Sequence, residues 1–189
     1  GFVTDCGFGY GCRNETRYCP RPAVDGRERC PFHLTPAERE AADVGPGALR
    51  AAFADDLEVA DPRRREYVGV SVCDLDLSEL VLDGGDVGRI AFRDLSVHGT
   101  LDLSGSVWRH PLDLGDAKIG QLDATDASFE MAVDLTDSTL GRTDGPATAM
   151  RFSRSCLDRS LRLTAVDVEG SLAFPGATIR SWLTFDEVD

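Results

Sequence analysis

Four stretches of this chain read Leu101-Asp-Leu-Ser-Gly-Ser-Val-Trp108, Leu112-Asp-Leu-Gly-Asp-Ala-Lys-Ile119, Leu122-Asp-Ala-Thr-Asp-Ala-Ser-Phe129 and Val133-Asp-Leu-Thr-Asp-Ser-Thr-Leu140. Counting the first residue as position 0, apolar residues recur at positions 0, 2, 5 and 7. Working outward, position 0 is read at Val70, Leu80, Ile90, Leu101, Leu112, Leu122, Val133, Met150, Leu161, Leu172 and Leu183, a spacing of 10 or 11 residues everywhere but once. A short fixed period means units that bury nothing alone and must stack, which predicts a solenoid over residues 70–189.

The local chemistry agrees. Side chains alternate along an extended segment, so positions 0 and 2 point one way, as do 5 and 7. Between the pairs lie two residues rich in Ser, Gly, Asp and Thr, which make corners. Each unit therefore forms two short sides, and two units form one four-sided coil. At a strand separation of ~4.8 Å the eleven units stack into a rod of roughly 25 Å. Position 5 is mostly small (Gly85, Ser106, Ala117, Ala127, Ser138, Ser155, Ala177) and position 7 larger (Leu77, Val87, Val97, Trp108, Ile119, Phe129, Leu140, Leu157, Val168, Ile179). Such an interior is filled, and no pocket is expected.

The other end of the chain is organised differently. Cys6, Cys12, Cys19 and Cys30 precede His33 within residues 1–34. Cys30-Pro-Phe-His33 puts two soft ligands on one tight turn, and two upstream thiolates would complete a tetrahedral zinc site. The expected ligands are Cys6, Cys19, Cys30 and His33, with Cys12 as an alternative. Two disulfides would use four cysteines and leave His33 idle; free thiols are the third possibility. Four protein ligands make a closed, structural site, because catalysis needs an open position. Thr35-Pro-Ala-Glu38 then reads as a capped helix start, and Leu49, Ala52, Phe53 and Leu57 fall on one face of a second helix over residues 48–59. Residues 35–60 are thus expected as a helical hairpin and the arginine-rich stretch 61–69 as a linker.

Composition excludes several function classes. Acidic residues number 33 against 20 basic, a formal charge of −13, so direct nucleic-acid binding is not expected. The basic residues are all Arg except Lys118, a skew that resembles salt-loving archaeal proteomes. No apolar run reaches the ~18 residues of a membrane helix, nor is there a secretory leader, so a cytoplasmic protein is expected. His98 and His110 fall on different sides of the coil, and no nucleotide-binding, HExxH or GxSxG motif occurs; an enzyme is not expected. Ser155-Cys156 and Cys73 read as plain residues, and Asn14-Glu-Thr16 as a weak glycosylation pattern.

Two features interrupt the repeat. Residues 141–149 bulge from a corner, with Arg142 and Asp144 as candidate interaction residues, since loops on rigid scaffolds carry recognition. Asp102, Asp113, Asp123 and Asp134 occupy position 1 of four successive units. Asp102 should lie over Asp123 and Asp113 over Asp134, held by salt screening or by turn hydrogen bonds, or forming an acidic interaction face.

On Ala117 with Ile119, Ala127 with Phe129 and Ala177 with Ile179, a small residue two before a larger one, residues 70–189 resemble the pentapeptide-repeat proteins. The resemblance implies an all-β solenoid, a right-handed quadrilateral β-helix. The head, with Cys6-Gly-Phe8, Cys19-Pro-Arg-Pro22 and Arg29-Cys-Pro-Phe-His33, resembles the cysteine-rich start of such proteins in haloarchaea. Three functions follow as expectations. The first is a non-enzymatic scaffold for a protein partner, with a structural zinc head. The second is a DNA mimic acting on a type II topoisomerase such as gyrase, as the resemblance implies. The third is a soluble regulatory region of a longer, membrane-associated protein. Leu183-Thr-Phe-Asp-Glu-Val-Asp189 stops one residue short of its position 7, which points either to a longer natural chain or to a homodimer formed through that end.

Overall fold

A computed structural model describes residues 5–12, 15–59, 61–83, 88–142, 144–145 and 147–188. An antiparallel hairpin, β1 (Gly9–Cys12) and β2 (Glu15–Tyr18), is followed by helices α1 (Pro36–Ala41) and α2 (Pro46–Glu58) and then by a β-solenoid of about five turns. Helix α1 starts where the capping signal places it. The Thr35 hydroxyl accepts the Glu38 N–H at 3.3 Å, and the Glu38 carboxylate accepts the Thr35 N–H at 2.8 Å. Helix α2 begins at Pro46 rather than Ala48, with Gly45 as its N-cap. Proline is at home there, because a first-turn N–H has no helical partner to lose.

The solenoid strands pair in parallel along four columns. The first runs through Glu66–Val68, Ile90–Arg93, Leu112–Asp113, Val133–Asp134, the start of Leu161–Glu169, and Leu183–Val188. The second stacks Val72, Val97, Ile119, Leu140 and Val168. In the third, Leu75, Leu101, Leu122, Met150 and Leu172 align, and in the fourth Leu82, Trp108, Phe129, Leu157 and Ile179. These are the inward residues that the period predicts.

The columns correct the register of the first two units. Leu75, not Leu80, lies under Leu101, and Leu75-Asp-Leu-Ser-Glu-Leu-Val-Leu82 carries apolar residues at all four positions. Glu66 pairs with Ala91, so position 0 of the first unit is Arg65 rather than Val70. Stacking thus starts inside the stretch expected as a linker. The regular spacing is broken twice, by 15 residues between Leu75 and Ile90 as well as by 17 between Val133 and Met150. Gly85 and Val87, expected in the core, lie outside the described residues.

A backbone rule underlies the corners. Position 4 of every unit is left-handed: Gly69, Glu79, Asp94, Gly105, Asp116, Asp126, Asp137, Arg154, Ala165, Gly176 and Glu187 all have φ between 52° and 71°. Gly and Asp enter this region at least strain, which is why they dominate the turn. Buried serines at position 5 satisfy themselves locally: Ser138 and Ser155 donate to the carbonyls of Leu135 and Phe152 at 2.6 and 2.9 Å.

The two ends of the coil differ. At the first end α2 lays Leu49 and Phe53 on the core, with the Phe53 ring centroid 5.2 Å from Tyr67, 5.8 Å from Phe92 and 6.3 Å from Trp108. At the last coil Trp182 and Phe185 remain 77% and 49% exposed.

Candidate metal centre

The head segment folds around side chains rather than around a core of its own. Cys6 and Cys19 are set by main-chain bonds, the Cys6 N–H to Arg21 O at 2.8 Å and the Cys19 N–H to Phe8 O at 2.9 Å. Cys30 caps and His33 ends the 3-10 turn Pro31–His33, closed by the His33 N–H on Cys30 O at 3.0 Å. All four side chains are buried, and their ligand atoms lie within 4.8 Å of one another.

The spacing fits one tetrahedral ion. Ligands at ordinary zinc distances would separate two sulfurs by about 3.8 Å and a sulfur from a nitrogen by about 3.6 Å. Cys19 Sγ lies 3.8 Å from Cys30 Sγ. Cys6 Sγ and Cys30 Sγ lie 3.5 and 3.2 Å from His33 Nδ1. The three cysteines are free thiols, as are Cys73 and Cys156; the disulfide alternative finds no pair among these five. The Cys12 side chain and Asn14 lie outside the described residues.

The thiols also show what an ion would relieve. S–H donation from Cys19, then Cys30, pulls the Cys6 thiol down to about 2, against the raising effect of burial. Cys30 lowers Cys19 in turn. Cys19, Cys6 and burial push the Cys30 thiol far up. Three thiolates in one buried space repel unless a cation sits among them, and bound metal ionises coordinating thiols outright.

Around the ligands is a shell that the sequence did not advertise. His33 Nε2 lies 2.8 Å from the Val68 carbonyl; as donor there, it leaves Nδ1 unprotonated and available to a metal. Phe8 stacks on the imidazole at 3.9 Å and 12°. It also fills the space above Gly69, where a Cβ would meet its ring at 2.7 Å. Arg21 Nη1 reaches Cys19 Sγ at 3.6 Å and Glu66 O at 3.0 Å, while Nη2 bonds Arg64 O. Its guanidinium covers the Tyr67 ring at 4.0 Å, and its Nε pairs with Asp56 of α2 at 2.5 Å. Asp56 also takes the Arg64 Nη1 at 2.8 Å and the Tyr67 hydroxyl at 3.1 Å. Burial pushes that hydroxyl well above its ordinary range, so it stays a donor. One buried network thus ties head, helix and first coil together.

The other candidate residues are placed apart from this centre. Asp102 aligns with Asp123, and Asp113 with Asp134, as expected, but the two pairs sit on the third and first columns, opposite faces of the coil. Each carboxylate accepts the N–H two residues on: Ser104, Gly115, Thr125 and Thr136 at 2.9, 3.0, 2.9 and 3.1 Å. These are Asx turns that hold corners. Arginine interrupts both columns, Arg151 opposite Asp123 and Arg162 opposite Asp134. Arg142 pairs with Asp144 at 3.1 Å and donates to His98 O at 2.8 Å, which fixes the start of the corner loop to the coil two levels below. Compared with known proteins, the chain matches no family model, no curated protein and no solved structure.

Proposed function

We propose that this chain is a non-enzymatic protein-binding scaffold: a rigid acidic solenoid, akin to pentapeptide-repeat proteins, whose first end is locked by a structural zinc ion on Cys6, Cys19, Cys30 and His33. The observation that carries the metal assignment is the 3.2–3.8 Å separation of buried sulfur and nitrogen donors. Three thiolates and one imidazole select zinc among the common divalent ions, because hard cations require oxygen ligands. With all four positions taken by protein, the ion would hold structure rather than activate water. A filled coil interior and corner-bound carboxylates support a surface-binding role over turnover.

Cobalt(II) substitution tests the metal site: the intense visible absorption of a tetrahedral thiolate complex is expected, and its absence would refute the ligand set. Partner capture in molar salt tests the scaffold. Binding that survives changing Asp102, Asp113, Asp123 and Asp134 together to Asn but fails in Arg142→Ala/Asp144→Ala would locate recognition in the corner loop. Capture of gyrase, competed by DNA and lost in the Asn variant, would instead favour DNA mimicry.

A further inference from the structure

The second column carries the one lysine of the chain, in surroundings unlike those of the arginines. We infer that the groove beside Lys118 binds a phosphate monoester, with Lys118, Ser96, Thr139 and Arg142 as its donors.

Ser96, Lys118 and Thr139 align in register on three successive coils. Each precedes an inward residue, Val97, Ile119 or Leu140, so the three side chains face outward in one row, spaced by about 4.8 Å per coil. Elsewhere a protruding arginine meets a carboxylate one coil away: Arg154 on Asp126 at 2.5 Å, Arg162 on Asp134 at 3.2 Å and Arg180 on Asp158 at 2.8 Å. Lys118 has a hydroxyl-bearing residue on either side instead. Among the described residues neither its ammonium nor those two hydroxyls have a partner.

The row lines a groove of about 550 Å³ together with His98, Gly120 and Arg142. Arg142 is held in place there. Its Nη1 donates to His98 O at 2.8 Å, and Nε and Nη2 each reach Asp144 at 3.2 Å. Gly120 makes room for this crossing, since a Cβ there would meet His98 O at 2.5 Å and Arg142 Cδ at 3.1 Å. The three bonds use three of the five guanidinium N–H groups, and two remain.

The donor set selects the ligand. Asp94, Asp116 and Asp137 are exposed at position 4 of the same units and disfavour a weakly held anion. A phosphate monoester carries close to two negative charges and three acceptor oxygens, enough to take an ammonium, a guanidinium and two hydroxyls together. A carboxylate offers one charge and two oxygens. Charge-assisted bonds of this kind are about twice as strong as neutral ones.

Lys118 supplies its own probe, because a chain labelled with carbon-13 lysine gives one lysine side-chain signal. Titration with a phosphoserine peptide should shift that signal saturably, and the same peptide with plain serine or with acetate added should not. Inorganic phosphate shifting it with similar affinity would assign the site to free phosphate; much tighter peptide binding would assign it to a phosphorylated partner segment. Lys118→Gln and Arg142→Gln should each weaken peptide binding, read by fluorescence anisotropy, by about tenfold. Arg180→Gln makes the same charge change beside the fourth column and should leave binding unaltered. No saturable shift from either phosphate source, an equal shift from acetate, or an equal loss in Arg180→Gln overturns the inference. None of these readouts involves the metal centre or partner capture, so that failure would leave the proposed zinc scaffold standing.

Discussion

Residues 5–34 and residues 66–188 hold their backbone in place by different means. In the solenoid the same four inward positions repeat, each residue stacks on its counterpart one coil away, and a single replacement leaves most of the ladder intact. In the head no pattern repeats, and four buried Cys and His side chains, one aromatic lid and one arginine converge on one place. Redundancy makes the first region legible and tolerant; convergence makes the second compact and sensitive and, under the proposed zinc assignment, responsive to one ion.

That contrast can be broken most sharply at the centre. Removing zinc by chelation, or changing Cys30→Ser, should lower unfolding free energy by on the order of 5 kcal/mol or more, since structural zinc supplies about 10–16 kcal/mol of binding energy to small folds. Denaturant melts read at the head and at Trp108 check this: the first signal should collapse and the second should persist. Asp56→Asn removes one charge from a buried cluster and deprives Arg21 and Arg64 of their shared carboxylate; a loss of about 3–5 kcal/mol is expected from equilibrium unfolding. In the solenoid, Trp108→Ala should cost a similar ~3–5 kcal/mol through its cavity, yet metal content should be unchanged. Smaller still, Asp134→Ala should cost about 1 kcal/mol while Asp134→Asn, which keeps the accepting oxygen, should be nearly neutral. Equal losses in the two variants would show that charge rather than the turn bond matters. Ala165→Gly should gain up to about 1 kcal/mol by relieving a left-handed alanine.

Much of the solenoid is written in its period, because every unit repeats the same inward demand. The register slipped at the first units for a physical reason. Arg65 holds a position that is apolar elsewhere, because its guanidinium serves the carbonyls of Leu57 and Val59 at the end of α2. The left-handed corner is visible at Gly105, Asp116, Asp126 and Asp137 but hidden at Arg154, Ala165 and Glu187, where helix- and strand-compatible residues bear the strain. In the head the four residues that cluster could be named from chemistry and spacing. Their supports could not: Arg21, Phe8, Asp56 and the Val68 carbonyl lie far apart in sequence, and the one available signal was an arginine two residues after Cys19.

Zinc content of the chain, purified without added metal and read by inductively coupled plasma mass spectrometry, tests the central claim most directly. One zinc per chain, lost in Cys30→Ser, is predicted. A well-folded chain carrying no stoichiometric zinc, or a Cys30→Ser chain that retains it fully, would contradict the account.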